Sequence, residues 1–372
     1  MPKNFSQHVL DVFAKHETTA EQISNLMTDV ALGREIYDEN EKRVISKAEA
    51  NEIIFNFSLD VLGMTKNMSS KDRRRAWRDN HRAWFDIIED TIDIRISTGF
   101  KDPWFTDLVE NKVIGADDRQ DFYSEHEAIL AVSKVGTSHH DLMLQRIGGD
   151  QPISIPVARY AIKIGEDINK YLVGQTDWAK MIDAISKAYE RKIYEMVSYN
   201  LSQLSTVLPA AFVGTGALNS TNKPDFDAII EKVSAANDGA DVIVMGTKLD
   251  LKKITGLADV NWGSKDQRDA MATTGTLGIY EGTRLVEIPQ RYSDRTFADA
   301  KKLMDDSKLI FLPVGYNDKP IKFVDRGETL VNEVLDRGEQ NGRWDDIMSY
   351  EIQREFGSGI VLGSYLGEWT LP

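Results

Sequence analysis

Cysteine is absent from all 372 residues. That removes disulfides, thiolate metal sites and cysteine nucleophiles together. No segment approaches the roughly 20 consecutive apolar residues of a membrane-spanning helix. The start, Met1-Pro2-Lys3-Asn4-Phe5, lacks the basic and then apolar blocks of an export signal, so a cytoplasmic setting is expected. No Gly-Lys pair is followed by Ser or Thr, which leaves a nucleoside triphosphate without its phosphate loop. There is no Gly-x-Ser-x-Gly elbow for a serine nucleophile and no His-Glu-x-x-His zinc helix. Basic residues are the minority, 45 against 59 acidic ones for a net charge of -14, which disfavours general nucleic-acid binding driven by phosphate neutralisation.

What is present is the composition of a folded globular chain, 41% hydrophobic and 28% charged, long enough for two or three domains with proper cores. Its most informative stretch runs from Thr176 to Leu204. Trp178, Ile182, Ile185, Tyr189, Ile193, Val197, Leu201 and Leu204 recur at three- and four-residue steps and fall on one stripe of a helix. Thr176 suits an N-cap and Asp177 the positive end of the helix dipole. At 1.5 Å per residue the rod would be about 40 Å long. It could be an ordinary core helix or the backbone of a shell subunit.

The first hundred residues read as helices near Phe5 to Lys15, Thr18 to Leu32, Ser46 to Leu62 and Ser69 to Ile96. Ser46 with Glu49 and Ser69 with Asp72 form capping signals. In the last of these helices Lys71, Arg73, Arg74, Arg75, Arg78 and Arg82 cluster around Trp77 and Trp84. Cations at a helix start oppose the dipole. The cluster therefore answers either an external acidic surface or nucleic acid, or it is a solvated face.

From Gln120 the period alternates. Glu127 to Val135 and Asp141 to Ile147 flank Gly136-Thr137-Ser138-His139-His140 as a hairpin with an extended loop. Ile129, Ala131 and Val135 occupy one face of its first strand, Leu130 and Val132 the other. An apolar hairpin on both faces needs a partner surface. A strand over Ile153 to Val157 continues through Tyr160, Ile162 and Ile164, and Glu166 and Asp167 lead into a short helix ending near Tyr171. Beyond Pro209 helix and strand mix: a helix face at Phe226, Ile229, Ile230 and Val233, a buried strand Asp241 to Met245, a helix Leu249 to Ile254, and strands at Leu277 to Tyr280, Arg284 to Ile288, Lys308 to Leu312 and Ile321 to Val324. Ile347 to Phe356 and Ile360 to Leu366 read as a hairpin about Gly357-Ser358-Gly359.

Three strings mimic chemistry. Val242 to Leu251 copies the strand and Thr-Lys-x-Asp turn that reads guanine in small GTPases, and Asp60-Val61-Leu62-Gly63 copies their Asp-x-x-Gly, but the phosphate loop is missing. Gly214-Thr215-Gly216-Ala217-Leu218-Asn219 resembles a dinucleotide fingerprint with its third glycine replaced, and reads as a flexible loop. His139 and His140 are loop-tip neighbours, and His8, His16, His81 and His126 lack ligand spacing. No catalytic, cofactor or metal residues are assigned, and no cofactor is expected.

The order of helical N-terminal region, long hairpin, short helix, long helix and mixed domain resembles the major capsid protein of tailed bacteriophages, the Hong Kong 97-type fold. Trp104 to Glu110 through Asp121-Phe122-Tyr123 looks like that family's segment leading into its extended loop, and Tyr160 to Asp167 like the run returning from it. Ala240 to Gly246 is similar to its axial-domain strand and turn. Met348 to Ile352 fits its returning peripheral strand.

The resemblance implies an α+β fold with residues 1–103 as a helical N-terminal arm, scaffold-like in part, and 104–126 leading into the extended loop at 127–147. A peripheral domain at 148–208 would carry the spine helix 176–204, with an axial domain at 209–335 and returning peripheral strands at 336–372. It further implies a non-enzymatic subunit that self-assembles into pentamers and hexamers of an icosahedral head enclosing double-stranded DNA without sequence-specific contact. Its setting would be the virion, after assembly in the host cytoplasm. Portal, scaffold and decoration proteins are further implied partners, with no membrane. Ile129, Leu130, Val132, Lys134, Val135, Leu142, Leu144, Arg74, Arg75 and Arg78 are the expected inter-subunit contacts. An encapsulin-like nanocompartment is the nearest alternative, and a nucleotide-binding enzyme using the 245–250 turn a distant one.

Overall fold

The computed structural model describes residues 7–38, 43–65, 67–99, 103–115, 121–122, 152–167, 178–255, 257, 275, 278–292, 302–304, 306–315, 319–333 and 347–372. The chain divides into two units, one formed by residues 1–101, 158–190 and 326–356, the other by 102–157, 191–325 and 357–372.

The first unit opens with helices α1 (Gln7–Lys15) and α2 (Ala20–Leu32), a short antiparallel pair β1 (Ile36–Asp38) and β2 (Arg43–Ile45), then α3 (Lys47–Leu62) and α4 (Ser70–Gly99). Each boundary has a local cause. Thr19 and Gln22 close a reciprocal capping box on α2, Ser46 accepts from the Glu49 amide, and Ser69 accepts from the Asp72 amide while donating to its carboxylate. Gly33 and Gly63 end α2 and α3 in the left-handed conformation that glycine adopts without strain. Helices α2 and α3 pack on α4, burying Met27, Ile54, Phe57, Trp84, Ile88 and Ile92.

Helix α5 (Pro103–Leu108) and strand β3 (Val109–Val113) belong to the second unit, as does the short pair β4 (Asp121–Phe122) and β5 (Ile153–Ser154). Strand β6 (Ala158–Asp167) returns the chain to the first unit. The expected run from Ile153 to Ile164 is thus broken into β5 and β6, with Pro156 between them. The hairpin expected at 127–147 and the short helix near Tyr171 lie outside the described residues.

The long helix forms as α6 (Trp178–Ser202). All eight residues of its sequence stripe are buried, at 3% exposure or less. Its first turns, to Glu190, count with the first unit and the rest with the second. Two buried polar contacts anchor the first half. Tyr189 donates to the Ile352 carbonyl at 2.6 Å, and Arg95 of α4, 5% exposed, reaches Glu190 at 2.9 Å and Asp183 at 3.3 Å. An arginine desolvated to this degree needs such partners, because a buried unpaired charge costs several kcal/mol.

After α7 (Leu204–Val207) the second unit builds a mixed sheet. Its members are β7 (Val213–Thr215), β8 (Val242–Gly246), β9 (Ile279–Tyr280), β10 (Thr283–Glu287), β11 (Lys308–Pro313) and β14 (Gly367–Thr370), in the order β7-β14-β11-β8-β10-β9. Between β7 and β8 comes α8 (Lys223–Ala236), and α9 (Lys248–Thr255) follows β8. Central β8 runs parallel to β10 and antiparallel to β11, and every one of its residues is buried, as an uninterrupted apolar run at a sheet centre predicts. Phe226, Ile229 and Val233 of α8 pack with Val244, Phe311 and Trp369 of the sheet in one core.

Two long strands belong to both units. The first residues of β12 (Ile321–Glu333) pair in parallel with β3, and β13 (Ile347–Ile360) pairs antiparallel with β6 from Ile347 opposite Asp167 to Phe356 opposite Ala158. Two sequence expectations are corrected here. The C-terminal hairpin does not form: β13 runs straight through Gly357-Ser358-Gly359, and β14 joins β11 and β7 instead. Gly214 and Thr215 lie in strand β7 while Gly216 to Asn219 leave it as a loop, and Trp369 packs against both, its ring filling the space a side chain at Gly214 would need and its Nε1 donating to the Gly216 carbonyl at 2.9 Å.

Candidate assembly surfaces

One ridge of α4 carries the polar chemistry of the first unit. Lys71, Arg75, Arg78, Arg82, Asp86, Glu89 and Asp93 follow one another at steps of four and three, so they share one line along the helix. Four cations come first and three carboxylates last. Both halves oppose the helix dipole, which favours anions at the start and cations at the end. Local helix stability therefore does not account for the pattern.

The acidic half is used inside the unit. Glu89 accepts from the Val331 amide at 2.7 Å, and Asp93 accepts from Thr329 at 2.6 Å and from Arg354 of β13, which is 3% exposed. Thr329 also accepts from Arg354 at 2.8 Å. Burial pushes the Asp93 carboxyl above its ordinary range, and the neighbouring guanidinium only partly offsets it.

The basic half faces outward. Lys71 and Arg82 are exposed, and the side chains of Arg75 and Arg78 are 57% and 74% exposed. Among the described residues they meet carboxylates only loosely: Asp72 at 3.5 Å from Arg75 and Asp79 at 3.9 Å from Arg78. Trp77 and Trp84, on the far side of the helix, are buried, with Trp84 edge-on to Trp178 at 5.3 Å, and Phe85, three residues after Arg82, is also buried and edge-on to Tyr350 at 5.6 Å. The interleaved tryptophans of the basic cluster are core residues and take no part in its outer face. Of the residues expected at inter-subunit contacts, Arg74, Arg75 and Arg78 lie on this helix, while Ile129, Leu130, Val132, Lys134, Val135, Leu142 and Leu144 lie outside the described residues.

A second polar surface lies in the second unit. Helix α8 and the β9–β10 turn border an open groove of about 510 Å³, lined by Asp227, Glu231 and Glu281 together with Ile230 and Ala235. Lys223 lies 2.8 Å from Asp227 and 2.7 Å from Glu281, and Tyr280 donates to Asp227 at 3.0 Å. The two carboxylates keep Lys223 protonated far above its usual range despite partial desolvation.

The nucleotide-like turn proves to be a helix cap. Thr247 donates to the Asp250 carboxylate at 2.8 Å, and Asp250, with 0% exposure, points inward. An aspartate so placed cannot read a base. The histidines described are also engaged within the fold: His8 lies 3.3 Å from the Val61 carbonyl, His16 2.7 Å from Asp60, and His81 3.0 Å from the Trp77 carbonyl. Asp60, the first residue of the Asp-x-x-Gly string, is thus held by His16 and Lys15. Burial raises its pKa, and those two partners more than reverse the effect.

A family profile matches residues 22–370, nearly the whole chain. The protein is accordingly a phage-type capsid protein, a structural protein and not an enzyme. It belongs to the family described as "SPbeta prophage-derived putative capsid protein YonB". No curated protein matches it. Among solved structures it is similar to that of Microbacterium phage Oxtober96, at 11% identity over 71% of this chain and 90% of that one, with a TM-score of 0.46. The mature capsid of bacteriophage PhiM1 is similar at 13% identity, 71% and 86% coverage and a TM-score of 0.47. The capsid of an empty GTA particle gives 10%, 71% and 88%, and 0.47.

Proposed function

We propose that this chain is the shell subunit of a Hong Kong 97-type head, assembling with copies of itself into pentamers and hexamers that enclose double-stranded DNA. The carrying observation is the family match over residues 22–370. A buried 25-residue helix supports it, since that is the element expected of a spine. In this reading α6 is the spine, 1–103 the arm, 104–126 the lead into an extended loop at 127–147, 148–208 and 336–372 the peripheral domain, and 209–335 the axial domain. Ile129, Leu130, Val132, Lys134, Val135, Leu142 and Leu144 would then meet a neighbouring copy, as would Arg74, Arg75 and Arg78. Portal, scaffold and decoration proteins would be further partners. The DNA is held by confinement, which an acidic subunit of net charge -14 favours because it does not grip phosphates. The setting is the virion, with assembly in the host cytoplasm.

The physical logic is one of shared burial. Closed shells need heterologous surfaces that repeat around rings of five and six. A hairpin reaching over a neighbour adds contact well beyond a standard interface of about 1,600 Å². The test is negative-stain microscopy of the purified chain beside a variant lacking residues 132–142. Closed particles are expected from the full chain, and a soluble, folded subunit without particles from the deletion. A wild-type chain that stays monomeric under every assembly condition sinks the reading.

A further inference from the structure

Among the described residues, the acidic half of the α4 ridge is engaged by β12 and β13, whereas the basic half meets only Asp72 and Asp79 of its own helix. Glu89 and Asp93 meet backbone and side chains of β12 and β13, whereas Lys71, Arg75, Arg78 and Arg82 present four cations to solvent along three turns, about 16 Å. A polyphosphate suits this face poorly. Asp72 and Asp79 stand beside the stripe, at 54% and 68% exposure, and would repel a continuous run of phosphates laid along it. A protein surface that alternates carboxylates with small or neutral groups suits it better.

This chain carries such a surface. On α8, Asp227, Glu231 and Ser234 follow one another at steps of four and three, with Asp227 held by Lys223 and Tyr280, and Asp238 stands just past the helix end, beyond its C-cap Asn237. Glu231 and Asp238 are exposed, and Glu281 stands across the groove at 58% exposure. The apolar lining residues Ile230 and Ala235 can pack the aliphatic stem of an arginine or lysine while its charged end meets the carboxylates beside them.

On the reading that the chain self-assembles, we propose that the basic stripe of α4 docks on the acidic α8 face of a second copy. The stripe's exposed cations oppose in charge a face whose exposed carboxylates are Glu231 and Asp238, beside the Asp227 and Glu281 that Lys223 holds. Each exposed pair is weak alone, so the contact acts through its number and through steering the encounter.

The experiment is a charge swap on the full-length chain, followed by light scattering of assembly and electron microscopy, with circular dichroism to confirm folding. Arg75→Glu with Arg78→Glu is expected to slow assembly about tenfold at low salt. Glu231→Lys with Asp238→Asn should do the same. Asp227 is left intact because Lys223 and Tyr280 depend on it, and asparagine is chosen because residue 238 has a positive φ of 53°. Mixing the two folded variants should restore assembly, since the altered α4 of one opposes the altered α8 of the other in charge while their two unaltered faces still match. Normal assembly of either variant alone, or no recovery on mixing while both remain folded, overturns the pairing. Binding of a DNA oligonucleotide by the wild-type stripe that Arg75→Glu with Arg78→Glu abolishes would also overturn it, in favour of phosphate. The wild-type control separates these outcomes from failure of the shell reading itself, in which the unaltered chain forms no particles.

Discussion

Asp250 is the residue with the clearest pH consequence. Burial pushes its carboxyl from an ordinary 3.8 up to about 6, against the hydrogen bond from Thr247 and the pull of Lys253 at 3.6 Å, while the charge of Asp306 adds to the rise. The folded state therefore binds this proton more tightly than the unfolded chain. The stability it contributes is fully present below pH 3.8 and is lost as pH rises through about 6. Two pH units of difference correspond to on the order of 3 kcal/mol. Asp250→Asn should flatten the stability profile of this unit between about pH 4 and 7, and raise stability at pH 8, measured by urea denaturation across that range. An unchanged slope would place the proton elsewhere. The cap behind this effect was legible as Thr-x-x-Asp, a capping signature in its own right. The resemblance to a guanine-reading turn hid it, because a sequence records that two residues are three apart and not that one of them faces a core.

At the scale of elements, β13 is held by what it lacks at Gly357. A Cβ there would collide with the Pro156 carbonyl oxygen and press on the Val157 Cα, both backbone atoms that cannot swing aside. Gly357→Ala is expected to cost about 1–3 kcal/mol by overpacking, read from the midpoint of thermal or urea unfolding. The same substitution at Gly359, whose nearest neighbours are side-chain carbons of Ile155 at 3.4 Å or more, should cost far less. The same triplet, Gly357-Ser358-Gly359, reads from sequence as a turn, since glycine is commonest there. Here the glycine serves close approach of two chains in a continuous strand, and local propensity does not distinguish the two uses. Helices were far more legible. The stripe from Trp178 to Leu201 and the caps at Ser46 and Ser69 gave boundaries within about two residues, because helical period and capping are encoded locally. The ridge on α4 was legible only as a basic cluster. Its acidic continuation acquires meaning from Arg354, which stands 261 residues away from Asp93 and meets it only through the fold.

For the whole molecule, two electrostatic effects oppose each other when copies meet. A net charge of -14 makes copies repel at long range, and the proposed docking of the α4 stripe on an acidic α8 face makes them attract at short range. Salt weakens both, though over different ranges. The Debye length falls from about 30 Å at 0.01 M to about 10 Å at 0.1 M and about 3 Å at 1 M. Net repulsion, acting between whole subunits, is screened first, and the contact pairs at a few ångströms survive until higher ionic strength. The assembly rate of the wild-type chain should therefore pass through a maximum near 0.1–0.2 M salt. With Arg75→Glu and Arg78→Glu two new carboxylates cancel the remaining cations Lys71 and Arg82 and the net charge goes from -14 to about -18, so the rate should only climb with salt across the same range. Light scattering at a fixed subunit concentration measures both curves. A wild-type rate that climbs without a maximum would mean that apolar contact alone closes the interface, and that the cations of α4 serve only to keep the subunit in water.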